Sequence, residues 1–170
     1  MFIIPEFNTG NHNVQTYKGT VEDLNDALLV LEGTRLGILP NIKRRLNTME
    51  RKYINANSVF AWNETECGMK RWTDGKNWSA SKVSGPFLTY RELDNNKNFK
   101  INGLVKQSFS LITKQNQKLH LISYISSDPN VVKGTTPTND SKLNKLSLDS
   151  NIYQDRLINY DREKNLIKKS

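Results

Sequence analysis

Leu104-Val105-Lys106-Gln107-Ser108-Phe109-Ser110-Leu111-Ile112-Thr113, then Lys114-Gln115-Asn116-Gln117, then Lys118-Leu119-His120-Leu121-Ile122-Ser123-Tyr124-Ile125 is the stretch that decides the fold. Two alternating segments around a polar quartet read as a β-hairpin. Two strands do not stand alone in water, because a single pair buries too little apolar surface. The hairpin must therefore complete a sheet begun earlier. Upstream, Ser58-Val59-Phe60-Ala61-Trp62-Asn63 and Pro86-Phe87-Leu88-Thr89-Tyr90-Arg91-Glu92-Leu93 are strand candidates, and Val14 to Gly19 is a shorter one. Asp94-Asn95-Asn96-Lys97-Asn98-Phe99-Lys100 is a polar, Asn-rich linker. The blocks on either side of it, about 14–93 and about 104–125 with a linker over 94–103, are expected to fold as one α+β unit.

Helices are expected at two places. Thr20 with Asp23 approximates a capping box and opens a helix over Val21 to Glu32, in which Val21, Leu24, Leu28 and Leu31 form one apolar stripe. Gly33 is placed to end it, and Gly37 and Pro40 punctuate the loop beyond. This helix reads as scaffold. Asn47 with Glu50 is a second capping signature, before a short helix from Met49 to about Ile54 that carries Arg51 and Lys52. Thr65 to Gly68 reads as a turn, and Met1 to about Asn13 as an irregular arm. Beyond Ser126 the periodicity fades. Lys133 to Ser141 looks like loop or disorder. Leu143, Leu146, Ile152, Leu157, Ile158 and Leu166 suggest one or two weakly amphipathic helices. A domain over 1–128 followed by a partly helical or disordered extension over 129–170 is the expected organisation.

The chain has 170 residues, enough for one domain with a real core, and a formal charge of +8 with a pI near 9.6. Such a balance points to an anionic partner, nucleic acid before anionic membrane. The single cysteine, Cys67, leaves no intramolecular disulfide framework and no multi-cysteine zinc site, and fits a reducing compartment. No stretch approaches a transmembrane span, and the apolar Met1 to Pro5 is too short for a signal peptide. A soluble intracellular protein is expected.

The chemistry concentrates in Lys70-Arg71-Trp72-Thr73-Asp74-Gly75-Lys76-Asn77-Trp78-Ser79-Ala80-Ser81-Lys82, which holds four cations, two tryptophans and three hydroxyl side chains around a glycine turn. Nothing in it repeats with helical spacing. A tight loop rimmed by cations and hydroxyls suits a polyanion with grooves, whereas the plain alternative is a solvated turn whose tryptophans only pack. Trp72 and Trp78 either stack on exposed bases or anchor the loop while Arg71, Thr73, Lys76, Ser79 and Ser81 reach outward. Catalytic arrangements find little support. His120 lies in an apolar strand, far in sequence from Cys67, with no third orienting group. Glu64 and Glu66 flank a turn, and Gly75 and Gly85 make no phosphate loop. No enzyme, cofactor, metal or small-molecule substrate is expected.

Ser58 to Glu64, Gly68 to Gly75, Trp78 to Lys82 and Phe87 to Glu92 together closely resemble the WOPR domain of fungal transcriptional regulators. Asp26 to Glu32, Gly37 to Pro40 and Arg44-Arg45-Leu46 match the same first block. Val105 to Ser110 and His120 to Tyr124 match its second. The resemblance runs in order from about Gly19 to Tyr124. It implies a single antiparallel sheet interleaved from both blocks, sequence-specific binding of double-stranded DNA, transcription regulation, and residence in the nucleus. Other transcription regulators are implied as further partners.

In such a domain the sheet and loop lean into the major groove while an arginine enters an A/T-rich minor groove. Arg71 is the match for that arginine, with Arg44 and Arg45 as competitors. Lys43, Arg44, Arg45 and Lys106 are expected at phosphates, and Thr73, Lys76, Ser79, Ser81 and Lys82 at bases. Lys70-Arg71-Trp72-Thr73 also resembles a basophilic kinase site, which would put a phosphate on Thr73. The chain departs from the family at Lys76 and Lys82, where members often carry arginine, and at Ala80, where they often carry proline. Two other classes remain open: a single-strand binder stacking bases on Trp72 and Trp78, and a basic adaptor for an acidic protein surface or membrane.

Overall fold

Strand residues of odd and even number point to opposite sides of a sheet, and here that parity sorts the core into two halves. The computed structural model describes residues 14–159; the expected N-terminal arm and Leu166 lie outside the described residues. Seven strands form one antiparallel sheet: β1 (Tyr17–Lys18), β2 (Ser58–Asn63), β3 (Asn77–Trp78), β4 (Lys82–Ser84), β5 (Phe87–Leu93), β6 (Leu104–Ile112) and β7 (Lys118–Ser126). Their order is β1-β2-β7-β6-β5-β3, with β4 pairing β5 alongside β3. The hairpin β6–β7 is thus inserted between β2 and β5, the interleaving implied by the family resemblance. The register Lys106↔Tyr124 and Phe60↔Ile122 puts even-numbered residues of three strands on one face.

On the odd face, Val59, Ala61, Phe87, Phe109, Leu111, Leu119 and Leu121 pack against helix α1 (Leu24–Arg35). On the even face, Phe60, Trp62, Ile122 and Tyr124 gather with Ile42, Leu46, Ile54 and Met69. One face is largely aliphatic and the other aromatic.

α1 departs from the expected helix at both ends. Its N-cap is Asp23, whose carboxylate accepts from the Asp26 N–H at 2.9 Å. Thr20 lies upstream, its hydroxyl donating to Asn57 Oδ1 and accepting from the Gly134 N–H, both at 2.8 Å. Gly33 ends nothing. It sits inside the helix, where a Cβ would stand 2.9 Å from Leu39 and 3.2 Å from Leu143, so its role is close packing. The turn beyond falls to Gly37 at φ +77°. Burial also runs around the helix rather than along a stripe, taking in Ala27, Leu29 and Val30 as well as the expected positions.

The reason for that all-round burial is the segment after Asp128, which folds back over α1. Leu143 and Tyr153 are fully buried, and Tyr153 Oη donates to Glu32 Oε1 at 2.7 Å. Tyr17 Oη donates to Asp140 Oδ2 at 2.7 Å, and Thr138 donates to Asp26 Oδ1 from both its backbone N–H and its hydroxyl. The stretch read as loop or disorder is pinned by the Thr20 N–H to Thr135 O bond at 3.0 Å and carries a 3-10 turn at Pro137–Asn139. Its order comes from bonds to residues distant in sequence, most of them to side chains, which leave no periodic trace.

Two short helices of the first block complete the frame. α2 (Thr48–Lys52) shows the anticipated reciprocal cap between Asn47 and Glu50, both bonds at 2.8 Å. Where a turn was expected, α3 (Glu64–Cys67) forms, capped by the Asn63 side chain and released by Gly68 at φ +76°. The 94–103 linker is folded, with Asp94 Oδ1 accepting from the Asn96 and Asn98 N–H groups.

Candidate nucleic-acid interface

Lys70 to Lys82 crosses the aromatic face, and its shape follows from what lies beneath it. Trp62, buried on β2, donates from Nε1 to Met69 O at 2.7 Å and fixes the loop's entry. Trp72 stacks on Trp62 with ring centroids 5.3 Å apart, and His120 stacks on Trp62's ring at 4.8 Å. His120 is therefore part of the stack, and its Nε2 lies 2.8 Å from Glu64 Oε1. That contact, with Lys118 nearby, holds the Glu64 carboxyl below the usual carboxylate range.

The tip is organised by Asp74, which is buried. Its carboxylate accepts from the Lys76 N–H at 3.0 Å, from Trp78 Nε1 at 3.0 and 3.1 Å and from Tyr124 Oη at 2.7 Å. Tyr124 Oη in turn accepts from Trp72 Nε1 at 2.6 Å. Burial beside Asp74 pushes the Tyr124 hydroxyl far above the ordinary tyrosine range, so it stays a donor. Gly75, at φ +75°, makes the reversal possible, and the aliphatic part of Arg51 from α2 lies beneath it. Both indole N–H groups are committed to protein acceptors. The tryptophans thus anchor the loop, which favours the second of the two roles open to them.

Outside this anchor, cations converge. Lys43, Arg44 and Arg45 from the loop before α2 meet Gly68 to Arg71 across an open groove of about 560 Å³. Five of its eight lining residues are cationic and none is acidic. Arg44 is tied from behind to Glu50 by two bonds of 2.8 and 2.9 Å, which raise its pKa above the ordinary guanidinium value. Lys43, Arg45 and Arg71 are exposed, and none has a hydrogen-bonded or ion-paired side chain among the described residues. Unpaired cations around one concavity make a site for a polyanion.

The remaining expected residues fall into two groups. Thr73 and Lys76 are half-buried along the loop, and Ser81 and Lys82 are exposed beyond it. Ser79 is occupied by the sheet edge: its N–H donates to Arg91 O at 2.9 Å, and its hydroxyl accepts from the Arg91 N–H at 3.0 Å and donates to Ala80 O at 2.9 Å. Lys106, expected at a phosphate, lies apart from the groove. Its side chain is 13% exposed, with Nζ 3.6 Å from Asp74 Oδ2 and 4.5 Å from the centre of the Trp78 ring. Asp74 and Tyr124 were missed by sequence reasoning. The one signal for Tyr124 was its even parity with Ile122.

Residues 16–98 match the model of the Gti1/Pac2 family. The chain is similar to the cAMP-independent regulatory protein pac2 of Schizosaccharomyces pombe, 37% identical over 84% of this chain and 83% of that protein. It is also similar to the transcriptional regulator MIT1 of Saccharomyces cerevisiae, 51% identical over 46% of this chain but only 12% of that much longer protein. Among solved structures it resembles the WOPR domain of Wor1 from Candida albicans in complex with 13-bp double-stranded DNA, with a TM-score of 0.72, 34% identity, and coverage of 88% of this chain and 97% of that one.

Proposed function

The chain belongs to the Gti1/Pac2 family, and on that basis we propose that it binds duplex DNA sequence-specifically as a nuclear transcription regulator. The observation that carries this is the acid-free groove, where Lys43, Arg45 and Arg71 stand without counter-charges beside a loop already held rigid. A rigid loop loses little conformational freedom on binding, so more of its contact energy appears as affinity. The Wor1 domain's complex with DNA, on a fold this close, supports the same reading.

Within that reading, Arg71 enters an A/T-rich minor groove. Such grooves are narrow and strongly negative, and a guanidinium sheds its water more readily than an ammonium. Lys43 and Arg45 meet phosphates, with Arg44 held against Glu50 as a less mobile companion. Thr73, Lys76, Ser81 and Lys82 face base edges in the major groove, while Ser79 holds the loop to β5. A phosphate on Thr73 would add about two negative charges at this surface and weaken binding.

The test is selection from a randomised duplex pool, followed by competition at physiological salt between the selected duplex, a random duplex and the selected single strand. Preference for the selected duplex is expected. Equal affinity for random and selected duplexes overturns the proposal. Preference for the single strand would restore base stacking, against the committed indole N–H groups of Trp72 and Trp78.

A further inference from the structure

We infer that Lys106, acting with Asp74 and Tyr124, is a positioning residue that sets the shape of the reading loop and touches no phosphate. The inference rests on the duplex-DNA reading and names one of its working parts. Pairing places Tyr90, Lys106 and Tyr124 in one row across β5, β6 and β7, all on the even face. Lys106 Nζ lies 4.5 Å from the Trp78 ring centre and 5.0 Å from that of Tyr90, with Asp74 Oδ2 at 3.6 Å. The ammonium is thus walled by two aromatic faces and a carboxylate, a favourable place for a desolvated cation. A DNA phosphate would have to displace those walls to reach it. Burial also holds the Lys106 pKa below the usual lysine value, with Asp74 opposing the fall.

The consequence lies at the other end of the pair. Asp74 is the common acceptor for Lys76 N–H, Trp78 Nε1 and Tyr124 Oη, and Tyr124 passes the connection on to Trp72. Both tryptophans that flank the loop tip therefore depend on one buried carboxylate, and Lys106 balances its charge. Without the ammonium, Asp74 would be a buried charge with no ion-pair partner among the described residues, which is strongly unfavourable, and the loop would give way before the sheet. A residue of the second block, carried on β6, thereby dictates the conformation of a loop in the first.

Salt separates the two roles. Removing a cation that neutralises a phosphate lowers the slope of log affinity against log salt by about one, whereas a misplaced loop lowers affinity at constant slope. Lys106→Met and Asp74→Asn would be compared with Lys43→Met on the selected duplex across a salt series. In parallel, NMR of the free proteins would follow the indole N–H signals of Trp72 and Trp78.

Lys106→Met and Asp74→Asn are expected to weaken binding by about tenfold or more at wild-type slope, and to move both indole signals. Lys43→Met is expected to lower the slope by about one and leave the indoles in place. A lowered slope in Lys106→Met overturns the inference, as do indole signals that stay put, whatever happens to affinity. Should Lys106→Met not fold, Tyr124→Phe removes a single hydroxyl and must shift the Trp72 indole and reduce affinity; no change in either overturns the inference. If the wild-type protein binds selected and random duplexes alike, the duplex-DNA reading falls, and the indole comparison still decides what Lys106 does.

Discussion

The two faces of the sheet share the same strands and do different work. The odd face is largely aliphatic, sealed by α1 and the segment after Asp128, and holds the fully buried Leu28, Leu121 and Leu143. The even face is aromatic, and its buried polar groups are joined in a network that runs from Trp72 through Tyr124 and Asp74 to Lys106. Apolar contacts on the first face are non-directional and supply most of the stability. Hydrogen bonds on the second are directional and supply shape. Because neighbouring residues alternate between the faces, one substitution should move either stability or recognition, seldom both.

That division can be broken in four places. Leu28→Ala, at a position with no exposure, should cost about 2–5 kcal/mol of stability in urea unfolding while leaving the affinity of the folded protein for its duplex unchanged. A matching loss of affinity would show that the faces are coupled. Tyr153→Phe removes the buried hydroxyl that donates to Glu32, and should lower stability by about 1.5–3 kcal/mol, again with DNA binding intact. It tests whether the segment after Asp128 is part of the odd-face core, and a wild-type unfolding midpoint would argue against that.

On the other side, Arg71→Ala should reduce specific binding by about 1–3 kcal/mol with no change in unfolding midpoint, and Arg71→Lys should recover little of it. Full affinity in the alanine variant would remove Arg71 from the interface. The smallest expected effect is that of Arg45→Ala, which should weaken every duplex alike and lower the salt slope by about one. A change in base preference would promote Arg45 from a phosphate contact to a reader.

The strands were largely legible. Ser58 to Asn63 holds four consecutive apolar residues, buried on both faces, and forms β2 with the expected bounds, and the β6–β7 hairpin lies within a residue of its expected limits. The Asn47–Glu50 cap was legible because both partners are local. Thr20 misled because a capping box is a pattern of types, and the true cap was settled by Asp23 reaching the Asp26 N–H. The packing of the later segment was hidden, since Asp140, Thr138 and Tyr153 find partners more than a hundred residues away.

At the candidate site, the cations were visible as charge, but their neutralisation was not. Lys106 and Lys43 look alike in sequence. Only cross-strand register reveals that one faces two rings and a carboxylate while the other faces solvent. Asp74 carries no role in the sequence reading, although it accepts from the Lys76 N–H, the Trp78 indole and the Tyr124 hydroxyl.

The insertion of β6–β7 between β2 and β5 has a consequence for synthesis. A ribosome delivers the chain from its N-terminus, so β2 emerges with only the two-residue β1 to pair with and β5 with only the short β3 and β4, and both must wait for the hairpin that separates them. The β2–β7 pairing is distant along the chain, which slows folding and leaves apolar edges open meanwhile. Nascent chains halted before Tyr124 would therefore lack both the completed sheet and the hydroxyl that ties Trp72 to Asp74. Recognition becomes available only once the last strand is out, and truncated products should be unable to occupy DNA sites in competition with the finished protein.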